Sequence, residues 1–149
     1  MRAVVTRVRD ASVTIDGRIN GAIDHGFLVL LGVAPEDTPA QAKKLADKIC
    51  GMRIFEDENG KMNLDLKQVG GSLLVVSQFT LFADCRRGNR PGFSYAAKPE
   101  TAIPLYELFL SLCEEKGFRV EHGEFGADMK VESLNDGPVT ILLDTRELM

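Results

Sequence analysis

Apolar and polar residues alternate through the first part of the chain with the two-residue period of strands that bury one face. Ala3-Val4-Val5-Thr6-Arg7-Val8 and Ser12-Val13-Thr14-Ile15 carry the pattern, with a break at Asp10-Ala11 and the turn dipeptide Asp16-Gly17 at the end. An antiparallel meander is expected, continuing through Ile19 to Ile23 with Gly21 at a bulge. Two later stretches differ. Phe27 to Val33 and Leu73 to Val76 are unbroken apolar runs, which fit strands covered on both faces, so both are expected at the centre of a sheet. Val139 to Leu143 is a third, mostly apolar run.

Helical spacing enters after residue 37. Thr38, Pro39 and Gln41 stand in the order of an N-cap, a first helical position and a capping-box partner. Ala42, Leu45, Ala46 and Ile49 then form one apolar stripe that ends near Gly51. A second helix opens at Pro99 or Thr101, with Pro104 in its first turn. Ile103, Tyr106, Phe109, Leu110 and Cys113 share its apolar face, and Glu114-Glu115-Lys116-Gly117 closes it. Short strands are expected at Arg53 to Phe55, Met62 to Leu64, Phe118 to Glu121 and Met129 to Leu134, with an Asn-Gly turn between the first two. This pattern supports a β-rich α/β protein with two helices.

The 149 residues suit a single domain, 1–149, long enough to bury roughly two-thirds of its unfolded surface. No apolar run approaches the roughly 18 residues of a membrane span, and the alternating N-terminus lacks the apolar region of a secretory signal. A cytoplasmic protein without membrane contact is the expectation. Cys50, Cys85 and Cys113 are odd in number and widely spaced, which argues against a disulfide framework and against a paired-cysteine zinc site; they are read as reduced thiols. His25 and His122 are the only histidines and are read as structural or surface residues. A net charge of −4 argues against a general nucleic-acid binder, so any RNA contact has to be local. Local positive charge is found at Arg86, Arg87 and Arg90, with Lys98, in an irregular stretch too long for an idle loop.

Two clusters offer chemistry. The run Leu73 to Val76 passes directly into Ser77-Gln78-Phe79-Thr80-Leu81, so hydroxyl and amide groups arrive at the end of a buried strand. A buried group of that kind left unpaired costs roughly 1–3 kcal/mol, so the sheet or a ligand has to satisfy it. The second cluster, Asn135-Asp136-Gly137-Pro138, is dense in turn formers and reads as a tight turn before the strand at Val139. Its Gly-Pro bond is the one kind for which cis geometry is accessible, and either isomer is open.

Together these clusters resemble the D-aminoacyl-tRNA deacylases. Ser77-Gln78-Phe79-Thr80-Leu81 and Asn135-Asp136-Gly137-Pro138-Val139-Thr140 match both signature motifs of that family. The likeness runs the length of the chain, through Met1-Arg2-Ala3-Val4-Val5, Arg53-Ile54-Phe55-Glu56-Asp57 and Phe125-Gly126-Ala127-Asp128-Met129. Phe82 and Gly92 stand where Tyr and Ser are common. The resemblance implies a mainly antiparallel, barrel-like sheet flanked by two helices, and a homodimer with its sites at the subunit junction. It also implies a hydrolase, needing no cofactor or metal, that cleaves the ester between a D-amino acid and the 3′-terminal adenosine of tRNA. Glycyl-tRNA mischarged on tRNA(Ala) is accepted too. Gly137 and Pro138, reaching across from the other subunit, are then the filter that rejects L-side chains, with Asn135, Thr140 and Arg7 around them and Arg7 holding the motif in place.

An aminoacyl ester is already activated by the neighbouring ribose hydroxyl, so positioning and oxyanion stabilisation suffice without a covalent nucleophile. Backbone N–H groups at Phe79 and Thr80 are expected to serve the oxyanion, with Ser77 and Gln78 orienting the substrate and the Phe79 ring packed in the core. Thr80 either positions the substrate or attacks it, and attack requires a base that no neighbour in sequence supplies. Arg86, Arg87 and Arg90 are expected to contact the tRNA acceptor end. Two other readings stand beside this one: a related deacylase with a trans Gly-Pro bond acting on L-amino acids, and a non-catalytic module that binds the 3′ end of tRNA.

Overall fold

A computed structural model describes all 149 residues. In chain order its elements are β1 (Arg2–Ile15), β2 (Arg18–Ile23), β3 (Gly26–Gly32), α1 (Pro39–Gly51), β4 (Phe55–Glu56) and β5 (Met62–Leu64). There follow β6 (Ser72–Ser77), a 3-10 helix (Phe79–Phe82), α2 (Pro99–Glu115), β7 (Val120–His122), β8 (Lys130–Asp144) and α3 (Thr145–Leu148). The sheet has the order β2-β1-β3-β6-β7, with β8 along the free edge of β1. The sheet is mixed. β1 pairs antiparallel with β2, β3 and β8, but β3 with β6 and β6 with β7 run parallel. The parallel pairs arise because α1 and α2 are crossovers, and a crossover returns the next strand in the same direction as the last.

The apolar runs explain themselves by periodicity. In β6, Leu73 and Val75 face the cluster formed with α1 and α2, while Leu74 and Val76 face a second cluster with Val8, Val13, Ile23 and Leu28. β3 divides in the same way, with Phe27, Val29 and Leu31 toward the helices and Leu28 toward the second cluster. Side chains alternate across a strand, so a strand with apolar layers on both faces has to be apolar at every position. Each fully buried aliphatic side chain contributes about 1.5–3 kcal/mol. The second cluster fills the interior of a nearly closed barrel. Closure comes from β2 meeting β7: the Asn20 side-chain amide donates to the His122 carbonyl at 2.7 Å, and Arg119 donates to the Ala22 carbonyl at 3.1 Å.

Several local expectations are corrected. The bulge in β2 falls between Val13 and Thr14 of β1, which leaves Asn20 as the extra residue; Gly21 beside it serves close approach instead. The strand expected from Arg53 begins only at Phe55, and that expected from Phe118 begins at Val120. Pro104 lies in the second turn of α2, where its ring leaves a carbonyl one turn back without a donor. The two expected strands around Asn135-Pro138 are one continuous strand, β8, and a short third helix, α3, follows it. At α1 the Thr38 N–H and hydroxyl both donate to the Gln41 side-chain oxygen, at 2.8 and 2.6 Å.

A Cβ placed on Gly21 would lie 2.8 Å from the His122 carbonyl oxygen and 3.1 Å from the His122 nitrogen. Gly21→Val is therefore expected to cost about 1–3 kcal/mol by prising β2 from β7, read as a lower midpoint in urea unfolding.

Candidate active site

β6 ends at Ser77, and the Gln78 N–H prolongs its pairing with β3 by donating to the Leu31 carbonyl at 2.8 Å. The chain then turns into the 3-10 helix. The Leu81 N–H donates to the Gln78 carbonyl and the Ala83 N–H to the Thr80 carbonyl, whereas the N–H groups of Phe79 and Thr80 take no backbone acceptor. This is what the start of any helix leaves behind, since its first donors have no carbonyl one turn earlier. The Gln78 side-chain amide donates to the Thr80 hydroxyl, which fixes both groups relative to the two free N–H groups.

A cleft of about 280 Å³ opens beside this turn, with Val76, Ser77, Gln78 and Phe79 on one wall and residues 125–129 with Val131 on the other. Ser77 and Gln78 are half-buried in that wall, and Phe79 and Thr80 are exposed. The Phe79 ring is not in the core: it is 51% exposed and meets the Phe93 ring edge to face at 5.0 Å. The 3-10 turn rotates it outward because the core position on this turn is taken by Phe82. Among the residues lining the cleft there is no histidine, lysine or cysteine. His25 and His122 are engaged elsewhere, with the Val69 and Gly123 carbonyls. The far wall escaped the sequence reading as a site. Gly126, with φ +81°, turns the chain there, and Phe125 and Met129 both line the cleft.

Asn135, Gly137, Pro138 and Thr140 lie in β8, and the Gly137-Pro138 bond is cis. They do not form a simple turn. In the β1–β8 ladder Thr6 pairs with Thr140 and Val8 with Asn135, so residues 136–139 of β8 bulge out opposite the single residue Arg7. Arg7 is 5% exposed and clamps that bulge, its Nε donating to the Asp136 carbonyl at 2.9 Å and its Nη1 to the Ile54 carbonyl at 2.6 Å. Asn135 holds it from within, accepting from the Val139 N–H at 3.1 Å and donating to the Thr140 hydroxyl at 3.3 Å. Gly137 has φ +138°, and a Cβ there would lie 2.8 Å from a Val139 methyl and 3.1 Å from Arg7 Nη2. Gly137 and Pro138 are exposed and do not line the cleft beside Ser77 in the same chain.

The arginine loop is not uniform. Arg86 lies across Asp84, donating to both carboxylate oxygens at 2.8 and 3.0 Å and to the Tyr95 hydroxyl at 2.6 Å. The Arg86 guanidinium holds the Asp84 carboxyl at about 2, so this brace is ionised throughout the neutral range. Arg87 and Arg90 are exposed and carry unmatched charge. A wider cleft of about 350 Å³ lies between Arg2, Arg86, Arg146 and Tyr95, but its three arginines are already paired with carboxylates. Asp144 pairs with Arg146 at 2.8 Å and with Arg2 at 2.9 Å, and these bonds hold its carboxyl well below the usual range.

Comparison with known proteins agrees with this geometry. The model of the family described as D-Tyr-tRNA(Tyr) deacylase matches residues 4–144. A protein of Anaeromyxobacter dehalogenans named D-aminoacyl-tRNA deacylase is 61% identical over 148 residues, covering 99% of both chains. One of the same name from Thermus aquaticus is 56% identical over 147 residues, covering 99% of this chain and 97% of that one. A solved structure named c-Myc DNA Unwinding Element Binding Protein superposes with a TM-score of 0.90 at 42% identity, covering 97% of this chain and 98% of that one. A probable eukaryotic D-amino acid tRNA deacylase superposes with a TM-score of 0.84 at 14% identity, covering 95% and 97%, and bears on the fold alone. On a match that takes in both signature stretches and nearly all of the sheet, this chain belongs to the D-Tyr-tRNA(Tyr) deacylase family.

Proposed function

We propose that the protein is a D-aminoacyl-tRNA deacylase, a hydrolase that cleaves the ester linking a D-amino acid to the 3′-terminal adenosine of tRNA. The observation that carries this reading is the pair of unengaged N–H groups at Phe79 and Thr80, next to a cleft whose lining offers no histidine, lysine or cysteine as base. Such a site suits an ester already activated by its own alcohol. The ester carbonyl docks at the two N–H groups, water attacks, and the developing oxyanion is held by donors that were in place beforehand. Ser77 lines the cleft within reach of the adenosine or the attacking water. Gln78 orients the Thr80 hydroxyl, and because the one carboxylate of the cleft, Asp128, is exposed and paired with Lys130, Thr80 positions the substrate.

Chirality is read by Gly137 and Pro138 of a second copy. Three features support this. The bulge is exposed and absent from its own cleft, β8 leaves its outer edge unpaired, and Leu134 and Leu142 on that strand are 55% and 69% exposed. A long edge strand with exposed leucines is a pairing surface, and a homodimer joined there completes two sites. A rigid bulge that excludes an L-side chain leaves the D-side chain and glycine free to enter, so glycyl-tRNA mischarged on tRNA(Ala) is a substrate as well. Arg87 and Arg90 supply the unmatched charge for the acceptor-end phosphates, and Arg86 shapes the loop that presents them.

In EDTA the purified protein is expected to hydrolyse D-tyrosyl-tRNA at least about 100-fold faster than the L-ester, a gap of about 2.7 kcal/mol in the barrier. Equal rates, or binding without cleavage, would overturn the reading. Gly137→Ala pushes a methyl against Val139 and Arg7, and Arg7→Lys cannot reach the Asp136 and Ile54 carbonyls together. Each is expected to cost about 1–3 kcal/mol in urea unfolding and to narrow the D/L ratio at least tenfold. Arg87→Gln with Arg90→Gln is expected to raise KM several-fold and to flatten its dependence on log salt by about one unit per residue, with kcat unchanged; an unaltered slope would clear this loop of phosphate contact.

A further inference from the structure

Cys50 near the end of α1 and Cys113 near the end of α2 are both buried, and their sulfurs lie 3.8 Å apart. They belong to the packed interface of the two helices, with Ile49 and Phe109 in the same cluster. Nothing in the ester-cleaving site uses them. We propose that Cys50 and Cys113 are an oxidisable dithiol, which a peroxide or a low-molecular-weight disulfide closes into an intrachain bridge between α1 and α2.

The geometry is close to what a bridge needs. A disulfide has sulfurs about 2.05 Å apart, so the two side chains have to close by less than ~2 Å, within the reach of rotation about χ1 and a small shift of helix ends. Sulfurs already in contact in the folded state also have a high effective concentration, which favours the intrachain product over mixed disulfides. The two thiols are not equivalent. The Cys50 thiol is held below the ordinary thiol value, chiefly by its hydrogen-bonding contact with Cys113 and also by the positive charge of Lys116, with burial opposing both. Cys113 is pushed up by the sulfur it faces and by burial. Lys116 is itself held in place by Asp47 at 2.5 Å.

The reaction balances without further components. The Cys50 thiolate attacks one oxygen of hydrogen peroxide, the S–O bond forms, the O–O bond breaks, and the departing hydroxide takes up the thiol proton as water. The Cys113 sulfur then attacks the resulting sulfenic sulfur, the S–S bond forms, and the sulfenic oxygen leaves as a second water with the Cys113 proton. Two thiols are oxidised by two electrons and one peroxide is reduced. Cys85, exposed on the arginine loop, has no sulfur beside it and cannot form this product.

The test is a thiol map of the full-length protein before and after hydrogen peroxide or diamide, each sample being alkylated in denaturant and digested without reductant. The expected result is an intact mass lower by two hydrogens before alkylation, loss of two of three alkylatable thiols, and one cross-linked pair joining the Cys50 and Cys113 peptides. Cross-linking chains across a loop of this length restricts the unfolded state, so the oxidised protein is expected to melt about 5–10 °C higher, reversibly with dithiothreitol. Cys85→Ser is expected to behave as wild type, and Cys50→Ser to lose both the cross-link and the shift. Three alkylatable thiols after oxidation, or a bridge that includes Cys85, would overturn the proposal, and the wild-type map decides it even if a variant folds poorly.

Discussion

A guanidinium placed out of reach of water has to find acceptors inside the protein, and the fold around the candidate site is arranged to give Arg7 two of them. Its nitrogens bond the carbonyls of Asp136 and Ile54, in segments 129 and 47 residues away along the chain. Hydrogen bonds to a charged donor are worth about 1.5–3 kcal/mol each, and an unpaired buried charge costs more than that. Arg7 thereby acts as a register pin. It is the one β1 residue opposite the four-residue bulge of β8, and the backbone of the bulge is fixed by the side chain it faces. The Asn135 side chain completes the arrangement from the other side.

The opposite half of the site depends on β6. Its parallel pairing with β3 and its two-sided burial fix the strand firmly up to Val76, and polarity begins at the next residue. Parallel strands place their carboxyl ends together at one edge of the sheet, and loops leaving that edge are where ligands commonly bind. The 3-10 turn after Ser77 follows that rule. The buried Tyr106 hydroxyl donates to the Val75 carbonyl at 2.8 Å, so α2 braces the strand two residues before the turn. Rigidity at Val75 and Val76 is what lets short polar side chains and free N–H groups stand at fixed positions one step later.

Much of this was readable in the residues. The four-residue aliphatic run in β6 announced a strand buried on both sides, and Thr38, Pro39 and Gln41 announced the start of α1, because both signals are local. The mixed direction of the sheet was not readable, since it depends on which strands become neighbours across helices. The Phe79 ring departs from expectation for a related reason: phenylalanine is usually buried, but the one inward position of this 3-10 turn is held by Phe82. The dense run of turn formers at 135–138 reads as a tight turn, yet β8 continues through it. A bulge and a turn use the same residues, and only pairing with β1 distinguishes them. Residues 125–129 showed a likeness to a family but no chemistry of their own, because a cleft wall made by a loop leaves no periodic mark.

The pairing of β1 with β8 also sets an order of events during synthesis. β1 emerges first, and its inner edge can be satisfied early by β2 and β3, but its outer edge waits for a strand that follows nearly everything else. Contacts such as Arg2 with Asp144, 142 residues apart, form only when translation is almost complete. A nascent chain halted before β8 would carry an uncovered strand edge and an Arg7 that has the Ile54 carbonyl but not that of Asp136, and an open edge invites association with other chains. Arrival of β8 covers the β1 edge and passes the open edge on to β8 itself, so the last strand made is also the one that meets other chains.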